Sequence, residues 1–345
     1  VEAERARELI RNHLTGLGYK VEVQKFSFSP ASLQAFPIFG AGLGGLALVL
    51  LPFLHTETLP SWAALAIWVA GLLALLVVVT GVGLGWAPLG EAPREDANLI
   101  ATRGIAPTRW IVAQLDTKAQ GHSMAGRLVA VWATVLASVV LTVLSVVRLS
   151  GTLPVGWLIL AAGLALASGY LAGRGRLSGR SLGARDNGTG VIAALFAAET
   201  IADPHTGILI TSAEEFGLVG ARVFARHMPV SGDIEFVNLD TLDEEGKLYL
   251  VSHDARGERL ARNLAARLTP LGLPIRSRRL PLGIFVDSAP LARTGARSIT
   301  IGRLTWRTLR RIHTPGDTPH DLSLATAEQV GKAIVSEVPG LMASN

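Results

Sequence analysis

Long apolar stretches interrupt an otherwise mixed chain. Asp, Glu, Lys and Arg are absent from residues 26–56, 58–90, 128–147 and 149–173. A helix needs roughly 20 apolar residues to cross the hydrocarbon core of a bilayer, so each stretch predicts one membrane span. Helices buried in a soluble core rarely stay free of charge over this length. We place the spans at Phe36–Leu54, Ser61–Val82, Leu128–Val147 and Leu153–Leu171.

Short polar connections group the spans into two hairpins. The connections are HTETLPS, after the first span, and RLSGTLP, after the third. Each hairpin returns the chain to the side it left, so all polar parts share one side of the membrane. We predict that residues 1–30, 91–126 and 175–345 form one domain of about 235 residues, enough for a core of its own. Residues 31–90 and 127–174 are then the transmembrane hairpins.

Charge predicts that this polar domain lies in the cytoplasm, because basic residues are typical of the cytoplasmic side of spans. The domain side carries Lys25, Arg94, Arg127, Arg174, Arg176 and Arg180, whereas the hairpin tips carry Arg148. The net charge of +5 is modest and the arginines are scattered, which argues against nucleic acid as a partner and suits anionic lipid headgroups. The absence of cysteine excludes disulfides and thiolate metal sites. The first thirty residues predict an amphipathic helix and a strand rather than a signal peptide.

Acidic residues stand at the ends of three strand-like runs in the polar parts. RWIVAQLD ends at Asp116, GILITSAEE at Glu214 and Glu215, and DIEFVNLD at Asp240. Helix-like segments alternate with these runs, which predicts an α/β fold with a mostly parallel sheet and helices on both faces. Ligands bind beyond the carboxyl ends of the strands in such sheets, so these carboxylates are expected to converge there.

Converging carboxylates repel one another unless a cation lies between them. Two further segments add candidate metal ligands: GARDNGTG contributes Asp186, and RRIHTPGDTPHD contributes His313. Carboxylate and imidazole groups are both ligands of zinc. Each motif alone is more often a plain turn or a helix start, but their joint occurrence at strand ends predicts a zinc site.

In this order, QLD, GARDNGTG, SAEEFGLVG, NLD and IHTPGDTP resemble the co-catalytic zinc aminopeptidases, a group that includes glutamate carboxypeptidase-like proteins and glutaminyl cyclases. The resemblance covers about residues 98–343 and includes FVDSAPLARTGARSITIG. It implies that Asp186 bridges two metals, that Glu215 and His313 complete one metal site, and that Asp240 serves the second. It also implies that Glu214 is the general base.

The chain departs from the family pattern at Gln114. The family has a histidine ligand at this position, two residues before Asp116, which matches the aspartate that orients that histidine. An amide oxygen is a weaker zinc ligand than imidazole, so the second site keeps Asp186 and Asp240 as its strong ligands. We expect one firmly bound zinc and a second that is weak or absent. His122 is an alternative ligand, although its place near the third span favours an interfacial residue.

The apolar stretches predict a membrane anchor, and the resemblance implies a zinc peptidase of the aminopeptidase type, acting on peptides through water activated by the metal. One alternative is a glutaminyl cyclase-like enzyme with a single zinc. Another is a catalytically inactive membrane homologue, which Gln114 favours and the intact base Glu214 opposes. The sequence leaves open the preferred side chain, the number of metals and the oligomeric state.

Three other readings are weaker. GHSMAG resembles a nucleophile elbow at Ser123, but that motif requires a strand running directly into the serine. GAGLGG, in the first span, is typical of helix packing rather than phosphate binding. A transporter is not favoured, because the spans lack the ionisable residues of ion pathways.

Overall fold

The computed structural model of the chain describes residues 2–86, 89, 92–229 and 232–336. Two compact units divide the chain. The sheet unit consists of Val1–Phe28, Arg94–Lys118 and Arg180–Asn345, and the helical unit of Ser29–Pro93 and Ala119–Gly179. The predicted domain limits at residues 1 and 91, and residues 337–345, lie outside the described residues.

Helices and strands are interspersed along the described part of the sheet unit. Its helices are α1 (Glu2–Gly16), α6 (Thr189–Thr200), α7 (Val219–Arg226), α8 (Ala255–Leu268), α9 (Ser288–Ala292), α10 (Trp306–Arg311) and α11 (Ala325–Val335). Its strands are β1 (Lys20–Phe28), β2 (Arg94–Thr102), β3 (Arg109–Gln114), β4 (Thr206–Thr211), β5 (Glu235–Leu242), β6 (Lys247–Ser252), β7 (Ile275–Arg279) and β8 (Arg297–Leu304). The helical unit contains α2 (Ala35–His55), α3 (Ser61–Gly83), α4 (Met124–Val147) and α5 (Val155–Gly173).

The strands form one sheet in the order β1-β2-β4-β3-β5-β8-β6-β7. β3 pairs in parallel with β4 and β5, β5 with β8, and β6 with β7, whereas the other pairs are antiparallel. Gln114 lies opposite Thr211, so β3 and β4 end at the same sheet edge. The predicted mostly parallel sheet is confirmed, and its carboxyl edge collects the ends of β3, β4 and β5.

Side chains along β3 alternate between two cores, as a strand covered on both faces requires. Ile111 and Ala113 belong to a buried cluster with residues of α6, α8 and α11. Trp110 and Val112 belong to a second cluster that also contains Phe224 of α7 and residues of β4, β5 and α9. Helices therefore cover both faces of the sheet, as predicted.

Each helix of the helical unit is long and apolar enough to cross a membrane. The candidate spans are Pro30–His55, Ser61–Gly83, Met124–Ser150 and Val155–Gly173, with mean hydropathies of 2.0, 2.6, 2.4 and 1.8. α2 approaches α5 closely: a Cβ added to Gly40, in GAGLGG, would lie 3.1 Å from Gly169 Cα. This glycine motif packs two helices, as its spacing predicts.

Two polar residues of the helical unit, Ser123 and Arg148, have structural partners. Ser123 caps the start of α4, where its hydroxyl accepts a hydrogen bond from the Gly126 amide at 3.3 Å. It follows β3 by several residues, so the strand-to-serine turn of a nucleophile elbow is not formed. Arg148 is buried and donates to the carbonyl oxygens of Phe53, at 3.2 Å, and Thr56, at 2.7 Å. It thereby joins the tips of the two hairpins.

Candidate metal centre

The predicted site residues lie at or beyond the carboxyl ends of β3, β4 and β5 and in two loops. Gln114 is the last residue of β3, and Asp240 lies within β5, near its end. Glu214 and Glu215 follow β4, where Ala213 adopts a positive φ of 54°. Parallel pairing thus brings residues from distant parts of the sequence to one edge of the sheet.

Three predicted ligands meet around one point. His313 Nε2 lies 3.2 Å from Asp186 Oδ2 and 3.2 Å from Glu215 Oε1. One ligand atom from each of these buried residues lies within 4.8 Å of the others, and this is the group of potential ligands found among the described residues. Glu215 Oε1 is buried and, although close to His313, forms no hydrogen bond of acceptable geometry among the described residues. It is therefore an acceptor that is available to a cation. Two carboxylates and an imidazole fit zinc.

Lys118 was not identified from the sequence. Its ammonium lies 2.6 Å from Glu215 Oε2, and the Lys118 side chain is 2% exposed. Burial alone would raise the pKa of Glu215, but His313 and Lys118 together hold it below its ordinary value. Glu215 is therefore a carboxylate, with one oxygen paired to Lys118 and the other facing His313. The only sequence signal was a lysine two residues after Asp116.

Gln114 acts as a hydrogen-bond donor in this structure. Its amide nitrogen lies 3.3 Å from Asp186 Oδ1 and 3.3 Å from Glu214 Oε2. The amide oxygen is buried and has no hydrogen-bond partner among the described residues. Gln114 therefore donates to two carboxylates through its nitrogen, and its role as a metal ligand stays a prediction.

Asp240 lies outside the three-residue ligand group, and its carboxylate accepts a hydrogen bond from the Thr241 hydroxyl at 3.0 Å. Burial and the neighbouring Asp186 charge raise the pKa of Asp240 well above its ordinary value. A bound cation nearby would lower this pKa, because it favours the charged form. His122 lies in the helical unit and is not part of the ligand group.

Asp116 holds the two glutamates from behind. Its carboxylate oxygens accept hydrogen bonds from the backbone amides of Glu214, at 2.9 Å, and Glu215, at 3.0 Å. Burial raises the pKa of Asp116 to about 8, and the charge of Glu215 raises it as well. The two backbone hydrogen bonds act in the opposite direction and lower this pKa. Asp116 thus orients the backbone of Glu214 and Glu215. It has no histidine to orient at the position two residues before it, because that position is Gln114.

Glu214 is a buried carboxyl group beside the three ligands. Its pKa is raised well above the ordinary value by burial first, and then by the charges of Glu215 and Asp287. A carboxylate with a raised pKa is a stronger base than an ordinary one, which suits the role of a proton acceptor. Asp287, also missed from the sequence, is fully buried and accepts a hydrogen bond from the Thr211 hydroxyl. Burial raises its pKa to about 7.

Peptidase family M28 matches residues 168–338, just under half of the chain. This segment includes Asp186, Glu214, Glu215, Asp240 and His313. The predicted family resemblance is confirmed. No curated protein matches the chain in sequence.

Solved structures of zinc aminopeptidases and glutaminyl cyclases share the fold. A glutaminyl cyclase from Bacteroides thetaiotaomicron, bound to N-acetylhistamine, is 13% identical, with a TM-score of 0.54 over 97% of this chain and 88% of that one. A zinc aminopeptidase from Bacillus subtilis is 15% identical, with a TM-score of 0.53 over 96% and 87%. Compared with a second structure of a Bacillus subtilis zinc aminopeptidase, this chain covers 54% of the length of that protein, with a TM-score of 0.43. The chain is therefore metallopeptidase-like in sequence and fold.

Proposed function

We propose that the chain is a membrane-anchored zinc peptidase of the aminopeptidase type. The observation that carries this proposal is the convergence of Asp186, Glu215 and His313, with Glu214 beside them as a buried carboxyl group. When bound, zinc supplies electrostatic activation of water and of the scissile carbonyl group. The M28 match and the buried ligand group support zinc as the cofactor.

Glu214 is the general base in this proposal. Its carboxylate takes a proton from the attacking water and later transfers it to the leaving amine. The Gln114 amide donates to Glu214 Oε2 at 3.3 Å and limits the rotation of the carboxylate. The Asp116 carboxylate fixes the Glu214 backbone. The base is thus held at its side chain and at its main chain.

We further propose that the site binds one zinc ion firmly. A second ion would need Asp186 Oδ1, which instead accepts a hydrogen bond from Gln114. The strong ligands left for it are Asp186 and Asp240, and zinc usually takes three ligands from the protein. The Lys118 ammonium adds a positive charge that reduces the need for a second cation.

Four apolar helices support membrane anchoring, with the bilayer as a partner of the chain. We propose that the sheet unit faces the cytoplasm, on the basis of the basic residues that flank the spans. The substrates are then cytoplasmic peptides. A glutaminyl cyclase-like reaction is the second candidate, since the same single-zinc ligand group and the shared fold fit it as well.

Replacement of Glu214 by Gln tests the proposal. Protein purified in detergent is assayed for release of N-terminal residues from peptides and for cyclisation of N-terminal glutamine, with zinc content measured by elemental analysis. We expect Glu214→Gln to abolish hydrolysis and to keep one zinc per chain. The control Glu199→Gln, on an exposed helix surface, should keep both the hydrolytic activity and the zinc content of the wild type. Cyclisation without hydrolysis in the wild type would move the assignment to the cyclase. A wild type with zinc but neither activity would support the inactive homologue.

A further inference from the structure

A second buried carboxylate repeats the arrangement of Asp116 at another ligand. Asp317 is fully buried, and its Oδ1 accepts a hydrogen bond from the Arg185 amide at 2.9 Å. Its Oδ2 accepts one from the Asp186 amide at 3.1 Å. In both cases one carboxylate binds two successive backbone amides, and the second amide belongs to a predicted zinc ligand.

The side chain of Arg185 completes the connection in the opposite direction. It is 2% exposed and donates to the carbonyl oxygens of Thr318, at 3.0 Å, and Asp321, at 3.3 Å. The turn that carries Asp186 therefore donates through its backbone to Asp317 and through a side chain to the residues that follow Asp317. These bonds join two segments that are far apart in the sequence.

Asp317 also belongs to the loop that carries His313. Its own amide donates to the Thr314 carbonyl at 3.1 Å, which makes the segment after His313 a compact turn. His313 Nε2, in turn, lies 3.2 Å from Asp186 Oδ2. Asp317 thus connects two of the three predicted ligands: its carboxylate binds the Asp186 amide, and its backbone lies in the loop of His313.

We propose that Asp317 is a positioning residue of the metal centre and sets the spacing between Asp186 and His313. This inference rests on the proposed zinc site. Residues that orient metal ligands typically change metal affinity 10- to 100-fold when replaced. Asp317 contacts the ligand backbone rather than a ligand side chain, so its effect is on where Asp186 lies.

The substitution Asp317→Asn separates this role from simple packing. Asparagine has nearly the same shape but only one acceptor oxygen, so its NH₂ group would face a backbone N–H. Asp243→Asn is the matched control. Asp243 lies 3.2 Å from the Nε of the same Arg185 and accepts from the Thr308 hydroxyl at 2.6 Å, but it contacts no ligand amide. Both substitutions disturb a buried acidic partner of Arg185.

The measurements are zinc affinity by chelator competition and thermal stability of the zinc-free protein, both on the full chain in detergent. We expect Asp317→Asn to weaken zinc binding about 10- to 100-fold. We expect Asp243→Asn to change zinc affinity less than about threefold at a similar loss of stability. Equal zinc affinity in Asp317→Asn and the wild type, or equal losses in both variants, would overturn the proposal. A wild type that binds no zinc would instead overturn the proposed function.

A second pair of variants applies even where Asp317→Asn does not fold. Asp317→Glu keeps both acceptor oxygens and lengthens the side chain by one methylene, and Asp243→Glu does the same at the control position. With Co²⁺ in place of zinc, the visible absorption bands report ligand geometry. We expect Asp317→Glu to shift these bands and Asp243→Glu to leave them unchanged. Unchanged bands in Asp317→Glu would contradict a positioning role.

Discussion

The Lys118 ammonium lies 2.6 Å from Glu215 Oε2, and both side chains are buried. This ion pair brings a positive charge into a cluster of buried carboxylates. It also leaves Glu215 Oε1 facing His313. The pair therefore favours Glu215 as a ligand through one oxygen and keeps it charged before any metal binds.

Removal of Lys118 should destabilise the zinc-free protein. Lys118→Met leaves the Glu215 carboxylate buried without its partner, which typically costs about 3–5 kcal/mol of unfolding free energy. Added zinc should restore part of the loss, because it replaces the missing positive charge. Thermal unfolding with and without zinc measures both effects.

The matched control for Lys118→Met is Lys332→Met. Lys332 Nζ also lies 2.6 Å from a carboxylate oxygen, that of Glu328, but these side chains are 48% and 45% exposed. An exposed pair contributes about 0–1 kcal/mol, so this variant should unfold almost like the wild type. Equal losses in both variants would show that burial does not give the Lys118–Glu215 pair its importance.

Gln114→His should increase the zinc content from one ion per chain to two. The substitution removes the amide that donates to Asp186 Oδ1 and supplies an imidazole beside Asp186. Asp240 is the other ligand predicted for a second ion. Three strong ligands are then available for a second zinc. Elemental analysis after dialysis measures the ratio. Gln329→His, at an exposed position on α11, should stay at one ion, and a ratio of one in Gln114→His would argue against the predicted second site.

The buried carboxyl group of Asp287 should make the zinc-free protein less stable as the pH rises. Burial raises the folded pKa of Asp287 to about 7, above an unfolded value of about 4. The unfolded chain therefore loses its proton first, and stability falls between about pH 4 and pH 7. Asp287→Asn mimics the protonated group and should stabilise the zinc-free protein at pH 8 by at most about 4 kcal/mol. Thermal unfolding at pH 5 and pH 8 checks this, and an unchanged pH dependence in the variant would contradict it.

Cysteine labelling in intact cells tests the predicted sidedness. The chain contains no cysteine, so a single introduced thiol can be followed without background. Glu57→Cys and Thr152→Cys lie at the tips of the two hairpins, and Glu245→Cys lies in the sheet unit; all three positions are exposed. An impermeant thiol reagent should label the tip cysteines and leave position 245 unlabelled until the cells are lysed. The reverse pattern would place the sheet unit outside the cytoplasm.

Most of the fold could be predicted from local sequence patterns. The apolar stretches match α2, α3, α4 and α5, because a candidate span can be recognised from the length and composition of one segment. The alternation of strands and helices predicted the mostly parallel sheet. The antiparallel pairing of β1 with β2, and of β6 with β8, had no signal in the alternation. Pairing partners depend on contacts between distant segments, which single runs of residues do not specify.

The chemistry of the site was also visible in the sequence, but its contacts were not. Acidic residues at strand ends, a glycine-flanked aspartate and a loop histidine determined which ligand types meet, because parallel strands share one carboxyl edge. Only the tertiary structure decided that Lys118 pairs with Glu215, that Gln114 donates to Asp186, and that Asp317 binds the Asp186 amide. These contacts depend on side-chain directions and on the approach of segments far apart in the chain. Hydrogen bonds and ion pairs form only when the two groups lie a few ångströms apart, and the tertiary fold decides which groups come that close.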